Sequence, residues 1–446
     1  MKKNIKTKMN FKKIFMFALP SITMMIFMSS YTIIDGIFVS EYVGYNALSA
    51  VNIVFPLISF IYAIGIMFAA GGSALVSKYL GENNLKNAKE AFTLITLFSV
   101  TLVIIISAIF IAFLDHIIIL LGADEETFNY AKTYIIPILI LAPTAVLQAN
   151  YQNFFVVASK PKLGLFFTIL SGLANILLDY IFMKHLNMGI VGAAYATVIG
   201  YSITAIGGSL FFFLNKHLHF TKITWHSKWI LNSMSNGSSE MVTNLSTALT
   251  TLLFNIVMMH LIGSKGVASI TAILYSQFIM NSFFMGYSIG IAPILSYHYG
   301  AKNLKYVRKI RNESFIFISL VSLGIFMISI ASANIIAEGF SSNDEEIKNL
   351  ITRGIYLFSI SYLFSGLNIF NSALFTALSD GKTSALISFL RTFIYIIFSM
   401  LIMVLILKTD GVFLAIPVAE ILTILTTLIF FKKQYSKVEI KVIQSL

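Results

Sequence analysis

The sequence predicts an all-α polytopic membrane protein with twelve transmembrane helices arranged as two six-helix bundles. Three observations support this fold class: 57% of the residues are hydrophobic and only 11% are charged, the apolar residues form long runs, and the second half of the chain repeats the first. An average soluble protein has about 25% charged residues, because charge keeps its surface in solution. A disulfide-stabilised secreted scaffold is excluded by the absence of cysteine.

Twelve apolar runs are long enough to cross a bilayer, whose hydrocarbon core of about 30 Å needs about 20 helical residues. Their limits are 14–41, 48–79, 91–114, 130–157, 162–184, 190–214, 229–260, 267–298, 312–337, 350–378, 382–407 and 411–431. The basic N-terminal arm leads into the first run without a small-residue cleavage site, so we expect the first span to remain in the mature protein.

Lysine and arginine concentrate on the side of the membrane that holds the N-terminus. Most of the 31 basic residues lie in the N-terminal arm, in the loops that follow even-numbered spans and in the C-terminal tail. The positive-inside rule makes this side cytoplasmic, which predicts a multi-pass protein of the cell membrane with both termini in the cytoplasm. Because topology explains the net charge of +12, no nucleic-acid partner is expected.

An internal repeat relates the two halves at an offset of 219 residues. The offset pairs Gly71 with Gly290 and aligns 84–86 with 303–305, both of which read Asn-Leu-Lys. Since each repeat holds six spans, an even number, the halves share one orientation and are related by a pseudo-twofold axis along the membrane normal. The predicted domains are an N-terminal lobe of 1–215, a cytoplasmic linker of 216–228 and a C-terminal lobe of 229–446.

Ionisable residues within spans are costly in lipid and therefore mark candidate functional sites. Asp35 lies in the outer half of span 1, while Asn175 and Asp179 share one face of span 5. Thr197, roughly 10 Å below the outer end of span 6, reaches a similar depth. We expect these four to form a cation-binding site, since paired carboxylates hold a proton and oxygen ligands suit Na⁺. The alternative is that the aspartates cap broken helices or pair with lysine, although no basic residue lies at that depth in the first six spans.

The second half carries three further ionisable residues within spans. Arg391 in span 11 and Glu420 in span 12 each lie roughly 14 Å from the start of the span, which predicts a structural ion pair between the two helices. Glu240 in span 7 has no evident partner. It is either a carboxylate of the substrate cavity, where its field would attract cations, or a hydrogen-bonded structural group.

Pro20 removes a hydrogen bond from span 1 and predicts either a hinge on the helix that carries Asp35 or a static bend. Methionine and aromatic side chains suit an adaptable substrate cavity, although such residues also face lipid and neighbouring helices. The cavity candidates besides Glu240 are Met28, Phe60, Tyr62, Met67, Met280 and Phe284.

The chain lacks the motifs of common enzymes. It contains no phosphate-binding glycine loop, nucleophile elbow or HExxH sequence, and its histidines lack metal-ligand spacing. We therefore expect no enzymatic activity and no cofactor other than a coupling ion. Since the chain itself has no ATP motor, uphill transport would have to use an ion gradient.

An ordered set of motifs runs along the whole chain. They are Ala18-Leu19-Pro20, TIIDGIFVSEYVGYNALSAVNIVFP around Asp35, LGENNLKNAKEA with its echo YGAKNLKYVRKI, SKPKLG at 159–164, NILLDYIF and GIVGAAYAT. Through them the sequence resembles the multidrug and toxic compound extrusion (MATE) family, in its DinF/MepA-like branch. The resemblance implies a V-shaped pair of bundles that exports drugs or toxins in exchange for H⁺ or Na⁺.

The resemblance also assigns residues. It implies that Asp35, Asn175, Asp179 and Thr197 form the cation site, that Pro20 lies at a bend and that Glu240 is linked to cation or substrate binding. One departure concerns span 10, where some members carry an aspartate and this chain reads LFSGLNIFNSALF. This departure argues against a Na⁺ site in the second lobe and favours a cation site in the first lobe.

We predict a secondary active multidrug exporter that acts as a monomer in the lipid bilayer. It would couple the antiport of organic cationic or amphipathic compounds to H⁺ or Na⁺ by alternating access. A lipid-linked oligosaccharide flippase remains an alternative, but it would need a basic cavity, and Arg391 is the one mid-span base. A membrane-bound enzyme would need a catalytic residue in a reachable loop, where His116 and His185 have no obvious partners.

Overall fold

The computed structural model describes residues 10–341 and 344–443, and the regular secondary structure in these ranges is helical. The predictions for the basic arm of 1–9 and for residues 444–446 concern residues outside the described part. The helices of the first half are α1 Phe11–Tyr42, α2 Tyr45–Gly81, α3 Leu85–Ala112, α4 Leu114–Leu120, α5 Glu125–Ile140, α6 Ala142–Val157, α7 Pro161–Asp179 and α8 Ile190–Leu214. Those of the second half are α9 Ser227–Leu261, α10 Ser264–Gly300, α11 Leu304–Phe340, α12 Glu345–Phe358, α13 Tyr362–Ala377, α14 Gly381–Phe389, α15 Tyr395–Leu407 and α16 Thr409–Ile443.

The predicted multi-pass architecture is confirmed, with one irregular span. Eleven segments of the described chain are long and apolar enough to cross a membrane, and α5 with α6 makes a twelfth that is bent by 55°. The bend lies at Leu141, between Pro137 in α5 and Pro143 at the start of α6. Proline cannot donate a backbone hydrogen bond and its ring clashes with the preceding turn, which explains the break. Helix α4, of 7 residues, was not predicted.

The helices place the connecting loops at two ends of the molecule. The end at which α1 begins, here called the basic end, carries the loops 82–84, 215–226 and 301–303. The opposite end, here called the acidic end, carries the runs 124–126 and 344–346. No helix forms in 215–226, which covers most of the predicted linker of 216–228. The domain limits stay a prediction.

The same helix caps recur in both halves. Asn84 Oδ1 accepts from Asn87 N at 3.0 Å, and Asn303 Oδ1 accepts from Tyr306 N at 3.4 Å. The repeated Asn-Leu-Lys sequence therefore reflects repeated capping, because Asn satisfies N–H groups that the first turn leaves free.

An aspartate cap lies at the acidic end. Asp344 caps α12 and lies 2.9 Å from the Lys265 ammonium. That ammonium and the backbone N–H groups hold the pKa of Asp344 below its usual value.

Left-handed backbone conformations also recur at matching positions, which supports the repeat independently of residue identity. The matched pairs are Gly44 with Gly263, Asn83 with Lys302, Ser159 with Ser379, and Asn187 with Lys408.

A close interface, here called the seam, joins the two halves toward the basic end. A Cβ on Gly71 of α2 would lie 2.8 Å from Gly237 N of α9, and a Cβ on Gly290 of α10 would lie 2.8 Å from Ala18 Cα of α1. The offset of 219 converts one contact into the other. Backbones approach this closely only where side chains are very small, so the glycines make the seam possible.

A second symmetric pair of contacts closes the seam at its outermost turn. A Cβ on Gly81 would overlap the Tyr297 backbone, and a Cβ on Gly300 would overlap the Lys78 backbone. The same offset relates these two contacts. The paired contacts match the predicted pseudo-twofold relation between the halves.

Helix α1 belongs to both halves. Near the basic end, Ile14, Phe17 and Ile22 pack into the hydrophobic core of the second half. Near the acidic end, Val39 packs into the core of the first half. The helix continues unbroken through Pro20, so the hinge at this residue stays a prediction. A movement of α1 would therefore act on both halves.

Candidate cation-binding site

Three helices bring the predicted site residues together. Asp35 lies on α1, Asn175 and Asp179 on α7, and Thr197 on α8. Glycines allow these helices to approach: a Cβ on Gly172 of α7 would lie 2.9 Å from the Tyr31 ring of α1, and a Cβ on Gly200 of α8 would lie 3.2 Å from Ser171 O. The spacing that suggested a common depth therefore corresponds to real proximity.

The site is a small polar cavity. Its volume is about 60 Å³, and its lining residues include Asp35, Asn175 and Thr197. Asp179 is completely buried behind the cavity. Its carboxyl group lies within hydrogen-bonding reach of the Asp35 carboxyl group. A space of this size holds an ion or a water molecule and is too small for a drug.

The oxygens of this site lack partners in the protein. Asp35 Oδ1, both carboxylate oxygens of Asp179 and both polar atoms of the Asn175 amide are buried without a hydrogen bond. Two ionised carboxylates only accept hydrogen bonds, so neither satisfies the other without a proton. Among the described residues, no basic side chain forms an ion pair with either aspartate.

The structure disfavours the structural alternative for the two aspartates. Asp179 is the last residue of α7 and makes no side-chain capping bond. Asp35 lies in the interior of α1, away from any helix N-terminus. Burying such groups unpaired costs several kcal/mol, so the arrangement is a candidate site for a proton or a cation.

Several residues of the site were not predicted. Tyr31 and Tyr201 line the cavity, as does Ser171, whose hydroxyl lies 2.7 Å from that of Thr204. Tyr134 lies close enough to interact electrostatically with both aspartates. A signal was present, because Tyr31, Ser171 and Tyr201 each stand four residues from a predicted site residue and so share its helix face.

The second half forms the predicted ion pair. Arg391 Nη2 lies 2.7 Å from Glu420 Oε1, and Arg391 Nε lies 3.0 and 3.1 Å from the two carboxylate oxygens. Asn368 Nδ2 donates to Glu420 Oε2 at 2.6 Å. Glu240 is half-buried on α9, within electrostatic reach of the Arg391 guanidinium.

The predicted cavity side chains are dispersed in this conformation. Phe284 is fully buried in the core of the second half, where its ring fills the gap left by Gly366. A packed ring offers no surface to a ligand in this conformation, and its place in a substrate cavity stays a prediction. Met67 is buried in the first core. The other four candidates have separate surroundings. Phe60 lies beside Phe110, and Tyr62 lies near Tyr31. Met280 packs against the second core, and Met28 accepts a hydrogen bond from Gln152 Nε2 at 3.3 Å.

The fold and the site together define a class of protein. Two sequence-related bundles meet at a seam near one end, and one bundle holds an acidic pair whose buried oxygens lack a protein partner. These are the features of a transporter-type polytopic membrane protein.

The family follows from comparison with known proteins. The MatE family model matches residues 20–181 and again 241–401, so the chain belongs to the MatE family. The double match agrees with the internal repeat. Similar proteins include the multidrug export protein MepA of Staphylococcus aureus (strain MSSA476), which is 22% identical over 430 residues covering 94% of this chain and 93% of the relative.

Solved structures share the fold. A crystal structure of MATE in complex with MaL6 has a TM-score of 0.92 at 20% identity and covers 97% of this chain and 98% of its own. The outward-facing conformation of a multidrug resistance MATE family transporter of the MOP superfamily has a TM-score of 0.91 at 20% identity, covering 97% of both chains.

Proposed function

We propose that the protein exports organic cationic or amphipathic compounds across the cell membrane in exchange for H⁺ or Na⁺. Membership of the MatE family and similarity to a multidrug export protein support the transport function. The buried pair Asp35 and Asp179 supports ion coupling. No cofactor besides the coupling ion is needed for this activity, and transport rather than catalysis is its outcome.

The observation that carries the proposal is the unpartnered acidic pair. A proton shared between the carboxylates, or a Na⁺ held by their oxygens with Asn175 and Thr197, would supply what the cavity lacks. Both ions neutralise the same charge, so either can serve the same coupling step. The oxygens present do not discriminate between them.

Helix α1 provides the path from the ion to the seam. Asp35 lies on its acidic-end half, while Ala18 and Ile22 of its basic-end half contact Gly290 and Gly286 of α10. Neutralising Asp35 changes how firmly α1 is held against α7, and the same helix forms part of the seam. Coupling requires only that the ion bind the seam-closed and seam-open states with different affinities.

The positive-inside rule makes the basic end cytoplasmic in this proposal, with both termini on that side. The closed seam then corresponds to an outward-facing state, in which the acidic end admits the ion. A single chain contains both halves and the complete ion site, so a monomer suffices. The domain limits of 1–215 and 229–446 belong to the same proposal.

An oligosaccharide flippase is a weaker candidate. Recognition of a pyrophosphate needs unpaired basic groups in the cavity. Arg391, the one base near the middle of a span in the described part of the chain, is already paired with Glu420. No observation on the described residues favours this alternative.

Fluorescent dye efflux from everted membrane vesicles tests the proposal. A pH gradient and a Na⁺ gradient are imposed separately, each with its own ionophore as control. We expect one gradient to drive dye movement and the matching ionophore to abolish it. Dye movement that neither gradient drives would contradict the proposal.

A further inference from the structure

The second half carries a charged network at positions that correspond to residues in or beside the wall of the ion cavity in the first half. The matched pair Ser159 and Ser379 sets an offset of 220 for the following span, which places Arg391 opposite Ser171. The capping aspartates of α5 and α12, 220 residues apart, place Asn368 opposite Gln148. The pair Asn187 and Lys408, 221 apart, places Glu420 opposite Ile199, the residue next to Gly200.

The two sets of positions hold different kinds of side chain: uncharged ones in the first half and a charged pair in the second. In the first half, Ser171 and Gly200 line the cavity, and Gln148 contacts Tyr31 on its wall. At the matched positions the second half has Arg391 and Glu420, which pair with each other. A serine thus lines the ion cavity in one half, where the other half has a guanidinium at the matched position.

The network in the second half is buried and electrically balanced. Glu420 is 3% exposed, and Asn368 is fully buried. Both carboxylate oxygens of Glu420 are bound, one by Arg391 alone and the other by Arg391 and Asn368. A further carboxylate within electrostatic reach of Arg391 is that of Glu240, which is half-buried on α9. Glu420 therefore has no unmet need for a cation.

A π-helical turn lies at both sites. One turn, Tyr180–His185, begins directly after Asp179, and the other, Leu390–Ile394, contains Arg391. Such turns shift the register of a helix by one residue and occur frequently at functional sites. Here one turn adjoins Asp179 of span 5, and the other contains Arg391 of span 11.

We propose that the Arg391 guanidinium is a built-in cation that takes, in the second half, the place of the exchanged cation in the first, so that Glu420 is a latent cation site. This inference rests on the proposed function in taking the coupling ion to be a cation. It assigns ion exchange to the first half alone. It also predicts that removing Arg391 creates a second ion-dependent site that the wild-type chain lacks.

The test measures the melting temperature of the purified full chain in detergent. One series varies Na⁺ against K⁺ at constant ionic strength, and another varies pH without Na⁺. The background variant Asp35→Asn/Asp179→Asn removes the first site and should show no ion-dependent shift. Adding Arg391→Met should create such a shift, whereas adding Arg391→Lys, which keeps a tethered cation, should not.

Glu420→Gln identifies the new site, because adding it to Arg391→Met should abolish the shift. A cooperatively melting Arg391→Met chain with no ion dependence would overturn the inference. So would a background chain whose ion dependence disappears on Glu420→Gln alone, since Glu420 would then already bind ions. If Arg391→Met fails to fold, recovery of folding in Arg391→Met/Glu420→Gln supports the inference, and failure of both overturns it. A failure of the proposed first-half site would be seen separately. The melting temperature would then respond equally to ions in the wild type and in the Asp35→Asn/Asp179→Asn background.

Discussion

The two halves of the molecule have a similar fold but differ in how they neutralise a carboxylate within the membrane spans. In the first half, Oδ1 of the half-buried Asp35 and both carboxylate oxygens of the buried Asp179 have no protein partner. The second half buries Glu420 against a guanidinium, with Nη2 at 2.7 Å. Helix caps, left-handed turns and seam contacts are repeated between the halves, so this chemical difference stands out against a common fold.

The difference shows how two halves that arose from one repeat can take on different roles. A carboxylate that lacks an internal cation must take one from solution, and it therefore responds to ion gradients. A carboxylate with its own guanidinium is permanently neutralised and holds three helices together through Asn368, Arg391 and Glu420. One half can thus act as the ion-responsive element and the other as a fixed frame.

The largest expected effect concerns the unpartnered pair. Asp35→Asn or Asp179→Asn should reduce coupled dye efflux by more than about tenfold, the scale of a lost coupling interaction, because the ion no longer distinguishes the two states. Everted-vesicle efflux at matched expression measures this. The control is Asp115→Asn, which removes an exposed carboxylate paired with Lys132 and should leave efflux unchanged. Wild-type efflux in both aspartate variants would eliminate the first-half site.

The seam provides a test of the symmetry. Gly71→Val and Gly290→Val should each lose most of the transport and to a similar extent, because either side chain would overlap the facing backbone. The chain has no cysteine, so cross-linking of a Lys78→Cys/Tyr297→Cys pair reports closure directly. We expect both glycine variants to reduce cross-linking. Strongly unequal effects would show that the halves do not share the seam equally.

Stability should change in opposite directions in the two halves. Glu420→Gln leaves a buried guanidinium unpaired and should destabilise the protein by about 3–5 kcal/mol. Asp179→Asn removes a buried carboxylate that has no partner and should leave stability unchanged or raised. Melting temperatures in detergent, without the transported ion, give the comparison. Equal destabilisation by both substitutions would remove the distinction between the halves.

The smallest expected effect concerns the repeated caps. Asn84→Ala and Asn303→Ala each remove one capping bond and should each cost about 1 kcal/mol. Melting temperatures of the two single variants, with Asn129→Ala on the surface of α5 as a control, measure the costs. A cost confined to one of the two caps would show that the repeated sequence lacks a repeated energetic role.

Much of the fold was predictable from the sequence, because the bilayer imposes the length and composition of each span. Depth arithmetic also placed Asp35 and Asp179 at one level, since the helix rise is constant. The bend at Leu141 was missed because apolar composition continues through it, although two prolines marked it. The π-helical turns were missed because no local residue pattern specifies them.

Side-chain surroundings were less predictable than depth. Phe284 looked like a cavity residue, but the gap beside Gly366 comes from a helix about 80 residues further along the chain. The ion pair of Arg391 and Glu420 was predictable because each charge within the membrane needs a partner. The tyrosines around Asp35 were not predicted, although their spacing of four residues from site residues was a signal, because tyrosine is common in spans and interfaces for other reasons.

Ion release on ligand binding tests the central claim most directly. The purified wild-type chain, in weakly buffered detergent solution, is mixed with a cationic dye that it transports, and released H⁺ and Na⁺ are measured. The acidic pair predicts release of one cation species by the wild type and none by Asp35→Asn or Asp179→Asn chains that remain folded. Undiminished release by both variants would mean that the coupling ion binds elsewhere and would contradict the account.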